Sequence, residues 1–177
     1  MVSAKSSRLS ALSYTIAQWL SILMGSEYDI DFRARPEAYR YQSGEQGVFK
    51  VQPYKEELLP DWSFKDEPAA EESVAALQEK YEDYRAEEDF VGMDMARKYL
   101  QMGFTRAMRY AKYPGGQKYN DDGTERDPQQ WADPEKRAAA VLFRDAWQDL
   151  TDDPVYQRLK ERHQDEVYDP AASPMVD

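Results

Sequence analysis

DFVGMDMARKYLQMGFTRAMRYAKYPGG, residues 89–116, is the stretch on which the fold turns. Asp89 offers a side-chain acceptor to the free N–H groups of a first helical turn, and Pro114-Gly115-Gly116 cannot continue a helix. One long helix is therefore predicted from Asp89 to about Tyr113. At about 100° per residue, Ala96, Tyr99, Leu100, Gly103, Phe104, Ala107, Tyr110 and Ala111 gather on one half of it. A half that wide is a core face, so the helix is expected at the centre of the domain with Leu100, Phe104 and Ala107 buried. Gly103 in mid-helix costs about 0.5–1 kcal/mol relative to Ala, which points to another backbone passing close by.

The other half of this helix carries Arg97, Lys98, Arg106, Arg109 and Lys112, with Met95 and Met102 among them. With Lys118 added, Met95 to Asn120 holds six cations and no Asp or Glu, in a chain of formal net charge -11. The remaining 17 basic residues stand against all 34 acidic ones, so positive charge is concentrated in one place. Like charges along a helix face cost a few tenths of a kcal/mol per i,i+4 pair, and a sequence shaped only for helix stability would intersperse Glu. Two readings follow. Either an external anion uses the face, or the acid-rich helices beginning near Ala70, Pro134 and Pro154 neutralise it.

The loop after the helix, Lys112-Tyr113-Pro114-Gly115-Gly116-Gln117-Lys118-Tyr119, extends the first reading. Gly115 and Gly116 would let backbone N–H groups approach a phosphate, Lys118 would add charge, and Tyr113 and Tyr119 are candidate stacking rings. The loop matches neither a Walker pattern nor a dinucleotide fingerprint. Aromatic and basic residues also alternate at Tyr39-Arg40-Tyr41, Tyr54-Lys55 and Trp62-Ser63-Phe64-Lys65. For such pairs, a tyrosine-rich core beneath surface cations gives the same string as a nucleic-acid site.

Outward from the long helix, Asp66 to Pro68 start a helix that ends near Glu88, with Val74, Leu77, Tyr81 and Tyr84 as its buried stripe. Asp133-Pro134 and Asp153-Pro154 each set a capping Asp before a proline at the first helical position. The first of these helices is expected to turn Ala138, Val141, Leu142, Ala146 and Leu150 inward; the second, Tyr156, Leu159 and His163. Residues 26–65 are punctuated by Pro and Gly, with one strand candidate, Val48-Phe49-Lys50-Val51. The fold class expected is mainly α, with at most a small strand element: one compact helical domain with a loop-rich, aromatic N-terminal half. Its divisions are an amphipathic helical extension over 1–27, a globular domain over 28–168 and a flexible tail over 169–177.

In the extension, Leu9, Leu12, Ile16, Trp19, Leu20 and Leu23 form an apolar stripe interrupted by Ser and Gln, too polar and short to span a bilayer. A packing helix, a transit or membrane-surface segment and an upstream extension without function all remain open. A length of 177 residues fits one domain that needs no disulfide or metal staple. With no Cys, thiol catalysis and cysteine-based zinc sites are excluded, and a reducing, cytoplasmic setting is expected. His163, the only histidine, sits on an apolar helix stripe and reads as a packed residue. No catalytic motif, metal site or cofactor site is found, and the oligomeric state is left open.

Three stretches carry a family resemblance: GEQGVFKVQPYKEELLPDWSFK at 44–65, DFVGMDMARKYLQMGFTRAMRYAKYPGGQKY at 89–119 and DPVYQRLKERH at 153–163. Across about residues 28–165 the chain resembles the uncharacterised family named domain of unknown function 4385. The resemblance implies a cytoplasmic single-domain protein and brings no activity, cofactor or site residue. The expected function is non-enzymatic binding of nucleic acid or another phosphate-bearing polyanion through the basic helix 89–113 and the loop 114–119. The alternative is an interaction or structural module whose basic face meets an acidic partner or the chain's own acidic helices. Third stands an enzyme acting on a phosphorylated small molecule.

Overall fold

Five helices order the chain in the computed structural model, which describes residues 30–173. They are α1 (Tyr54–Leu58), α2 (Glu67–Ala86), α3 (Phe90–Lys112), α4 (Pro134–Thr151) and α5 (Pro154–Arg162), the last running into a π-helical turn at His163–Val167. The capping residues read from sequence hold each long helix. Asp66 accepts from Ala69 N at 2.9 Å, Asp89 from Gly92 N at 3.1 Å, Asp133 from Lys136 N at 3.1 Å and Asp153 from Val155 N at 2.9 Å. Between α2 and α3 the chain reverses at Glu88, whose φ of 53° is left-handed, and Asp89 N donates to Tyr84 O at 2.9 Å.

The long helix α3 is central: α4, α2, α5 and α1 all pack on it, α4 most extensively. Every residue from Phe90 to Leu100 is buried, and so are Gly103, Ala107 and Ala111. Gly103 lacks a side chain because Phe143 of α4 fills that space; an added Cβ would come 2.4 Å from Cδ1 of the ring. Full burial of a Phe side chain is worth roughly 1.5–3 kcal/mol, which outweighs the helix-propensity cost of the glycine.

Phe143 also corrects the expected face of α4. The buried stripe is Ala139, Ala140, Phe143, Ala146 and Leu150, while Ala138, Val141 and Leu142 are only partly buried. Small alanines let the two helices approach while the one large ring enters the notch, so the helix is turned toward Phe143. The stripe of α2 is Ala70, Ser73, Leu77, Tyr81 and Tyr84, with Val74 at its edge. On α5, Tyr156 and Leu159 are buried as expected.

A second correction falls on Val48-Phe49-Lys50-Val51. Val48–Lys50 is a 3-10 turn entered through Gly47 at φ 78°, because the left-handed glycine turns the chain before an extended ladder can form. The β-bridges among the described residues are the isolated pairs Asp31 with Gln52 and Tyr119 with Glu125. Residues 32–62 instead wrap the longer helices as loops, short turns and the five-residue α1, placing Phe32, Ala38, Tyr39, Val48, Val51, Tyr54 and Leu58 in the common core. The N-terminal extension lies outside the described residues. At the other end, Asp169 N donates to Glu37 O at 2.9 Å, Ala172 N donates to Asp169 O at 3.0 Å, and Ala172 packs on the core.

Candidate functional site

The six cations singled out by charge separate into three environments. Arg97 and Lys98, expected on the exposed face, are buried at 3% and 2% exposure, because both lean on the fully buried carboxylate of Asp94. Arg97 Nε donates to Asp94 Oδ1 at 2.7 Å and Lys98 Nζ lies 3.8 Å from Oδ2. The hydroxyls of Tyr39 and Tyr156 donate to the same carboxylate, Tyr156 at 2.7 Å. Gln101 Oε1 accepts from the Arg97 guanidinium at 3.1 Å, and Lys98 lies over the Tyr39 ring at 5.6 Å. Burial pulls the Lys98 ammonium below its usual pKa, with Asp94 resisting; burial and Asp94 together push the Tyr39 phenol well up. A buried charge persists only when paired and hydrogen-bonded, and Asp94 supplies that for both cations. The acid that neutralises Arg97 and Lys98 is thus on α3 itself and not on the acid-rich helices beginning near Ala70, Pro134 and Pro154.

Arg106, Arg109 and Lys112, on the last two turns of α3, are exposed and form no ion pair among the described residues. Arg106 rests over Phe49 and Trp62, with its Cζ 5.6 and 5.4 Å from the ring centroids. Arg109 and Lys112 also complement the negative end of the helix dipole. Beyond them the rings continue: Trp62 lies 5.3 Å from Phe64 and Phe64 lies 5.8 Å from Tyr110. Lys136, on the first turn of α4, sits 4.9 Å over Phe64 and 5.4 Å over Tyr110 while donating to Phe64 O at 2.9 Å.

The loop gives a third environment. Lys118 is partly exposed and pairs with Glu125 at 3.3 Å, which raises its pKa. Tyr113 is buried at 7% exposure and donates to Glu125 Oε1 at 3.3 Å, so its ring is not offered for stacking; Tyr119, at 56%, is. Gly115 and Gly116 take φ of 64° and 70° in a tight 3-10 turn at Pro114–Gly116. Gly116 N donates to Tyr113 O at 2.9 Å and Gln117 N to Pro114 O at 3.4 Å, so these amides close the turn instead of facing a ligand. The Tyr110 ring is the reason for Gly116, since an added Cβ would come 2.8 Å from its Cζ. The returning segment of the loop is anchored on the helix end: Gln129 N donates to Lys112 O at 2.8 Å and Ala132 N to Ala111 O at 2.7 Å.

A family comparison now bears on the chain. The model of Domain of unknown function (DUF4385) matches residues 24–166. The chain belongs to this family. The match takes in all five helices, the Asp94 cluster and the cationic end of α3, so both features lie inside the DUF4385 domain. No curated protein and no solved structure matches the chain. Among the described residues no helix is long and apolar enough to cross a membrane.

His163 and two clefts hold further polar groups. His163 is buried at 2% exposure, 4.9 Å from the Phe90 ring centroid, and its Nε2 lies 2.6 Å from Tyr39 O. A carbonyl only accepts, so Nε2 carries the proton. Burial holds the imidazole below its usual pKa, against the opposing pull of that hydrogen bond. A cleft of about 330 Å³ beside it is lined by Arg33, Asp89, Phe90, Leu159 and His163. Its polar groups are committed elsewhere: Arg33 binds Glu57 through two bonds of 2.8 Å, and Asp89 accepts from Tyr54 at 2.7 Å. A wider cleft between α2 and α4 is lined by Glu82, Arg85, Asp149 and Asp153, where Arg85 Nε donates to Asp153 at 2.8 Å.

Sequence reasoning missed Asp94, although the signal was available. It lies one residue before the acid-free window and three and four residues before Arg97 and Lys98, the spacing at which helix side chains meet. Tyr39 lies 55 residues from Asp94 and Tyr156 lies 62, and nothing local announces those contacts.

Proposed function

We propose that this DUF4385 protein binds a phosphate-bearing polyanion through the exposed end of α3, with Arg106, Arg109 and Lys112 as the contacts and Lys118 as an auxiliary. The observation that carries the reading is the contrast along one helix. Arg97 and Lys98 are matched by a carboxylate, whereas Arg106, Arg109 and Lys112 face solvent without one among the described residues. In a chain of net charge -11, three exposed cations on two turns act as a local positive site that an extended anion reaches while the rest of the surface repels it. The lack of Cys and of a membrane-crossing helix among the described residues is compatible with a cytoplasmic location, which forms part of the proposal.

Titration of a fluorescently labelled oligonucleotide at several salt concentrations tests the reading. Log affinity should fall linearly with log salt at about 0.7–0.9 per phosphate contact, giving a slope of about 2 or more for three contacts. An affinity independent of salt, or no association with any polyanion at low salt, would remove the proposal.

A further inference from the structure

The large apolar side chains exposed among the described residues are Tyr110 at 37%, Trp131 at 44% and Tyr119 at 56%, and they do not scatter over the molecule. Tyr110 projects from the last turns of α3, and Gly116 packs on its ring. Trp131 lies on the loop return that Gln129 and Ala132 anchor to the end of α3, and Tyr119 follows the Gly115-Gly116 turn. All three therefore belong to the end of the helix that carries Arg106, Arg109 and Lys112. Each ring also has its own cation: Lys136 Nζ lies 5.4 Å from the Tyr110 centroid, Arg137 Cζ 4.1 Å from that of Trp131 and Lys118 Nζ 5.5 Å from that of Tyr119. Lys136 and Arg137 are neighbours on the first turn of α4, which links the first two of these units directly.

Each cation lies over one face of its ring, and a half-exposed ring with a charge over it matches one nucleotide, the base stacking on the exposed part of the ring and the phosphate meeting the cation. In a duplex the base faces are occupied by each other, so exposed rings gain nothing from it; in a single strand they are free. An anion without bases, such as polyphosphate, would use the cations and leave the rings idle. We infer that the ligand of this surface is a single-stranded nucleic acid whose bases stack on Trp131, Tyr110 and Tyr119 while the cations beside those rings, Lys136, Arg137 and Lys118, hold its phosphates together with Arg106, Arg109 and Lys112. This deepens the polyanion reading and rests on it. Tyr119 is the weakest of the three stations, because Glu125 already pairs with Lys118 and Asp121 and Asp122 lie in the same hairpin.

The test uses the full chain with a labelled thymidine oligonucleotide, a uridine oligonucleotide, a duplex of equal length and an inorganic polyphosphate. Trp131 is exposed, so Trp131→Ala should keep the melting temperature of the unmodified protein, and Trp131→Phe should keep stacking. The single strands should bind more tightly than the duplex and the polyphosphate. Trp131→Ala should weaken them about 5- to 100-fold, with the salt slope unchanged and with Trp131→Phe retaining most of the affinity. Preference for one of the two single strands would assign DNA or RNA within the same class. Equal binding of single strand, duplex and polyphosphate, indifferent to Trp131→Ala, would overturn the stacking inference while leaving the polyanion reading intact. No binding to any of the four would overturn both.

Discussion

Asp94→Ala is the substitution with the most to reveal about how this helix was assembled. The carboxylate is fully buried, accepts from Arg97 and from the Tyr39 and Tyr156 hydroxyls, and lies 3.8 Å from Lys98. Removing it leaves two buried cations without an anion and two buried phenols without their acceptor. Loss of one partner of a buried ion pair costs about 3–5 kcal/mol, and an orphaned buried hydroxyl about 1–3 kcal/mol. Arg97 keeps its bond to Gln101 and water enters part of the cavity, so the expected loss is about 4–6 kcal/mol. A domain of this size has about 5–15 kcal/mol in total, which makes the variant marginal. Urea denaturation followed by far-ultraviolet circular dichroism measures the difference. The triple variant Asp94→Leu/Arg97→Met/Lys98→Met removes every charge of the cluster and should recover more than half of the loss. A cost below about 1.5 kcal/mol for Asp94→Ala, or a triple variant less stable than the single one, would refute the view that Asp94 holds the buried cations.

Other consequences follow from the packing and from the titrating groups. Gly103→Ala should destabilise by about 1–3 kcal/mol despite the better helix propensity of Ala, since the methyl group meets the Phe143 ring; thermal or urea unfolding reads this. His163 has a folded pKa below its unfolded value near 6.5, so the unfolded state takes up a proton first as pH falls. Its contribution is complete above about pH 6.5 and is lost as pH drops toward the folded pKa, and His163→Gln should flatten the stability profile below about pH 6.5. The Arg33 guanidinium, bonded to both carboxylate oxygens, holds the Glu57 pKa below its usual 4.5 against the effect of burial. That contribution is present above about pH 4.5 and lost as pH falls through the lower folded value, so Glu57→Gln should shallow the acid limb of the same profile.

The fold was legible where the governing interactions are local. Four Asp caps, two of them before proline, and the 3.6-residue period of α3 put the starts of α2 to α5, and the ends of α2 and α3, within about two residues of where they are observed. The phase of α4 was not legible, because Phe143 faces inward for a reason located on another helix, the empty side chain of Gly103. Val48-Phe49-Lys50-Val51 misled for a similar reason: three apolar residues in four have strand propensity, but their conformation is set by the left-handed Gly47 and by the core they cover. At the candidate site, charge counting found the right helix and could not tell its two halves apart. Burial separates them, and burial of Arg97 and Lys98 depends on Asp94 together with two tyrosines distant in sequence. Trp131 entered no motif, since an exposed ring on a loop becomes informative only beside Arg137 and the end of α3.

The most direct test compares the salt dependence of oligonucleotide binding in the unmodified protein and in Arg109→Gln/Lys112→Gln. These two cations face solvent and carry no ring or ion pair among the described residues, so the substitution should cost only their attraction to the helix end, about 0.5–2 kcal/mol of urea stability, and leave the protein folded. The account predicts weaker binding and a log–log salt slope smaller by about 1.4, two contacts at roughly 0.7 each for a single strand. An unchanged slope and affinity in the folded variant would contradict it.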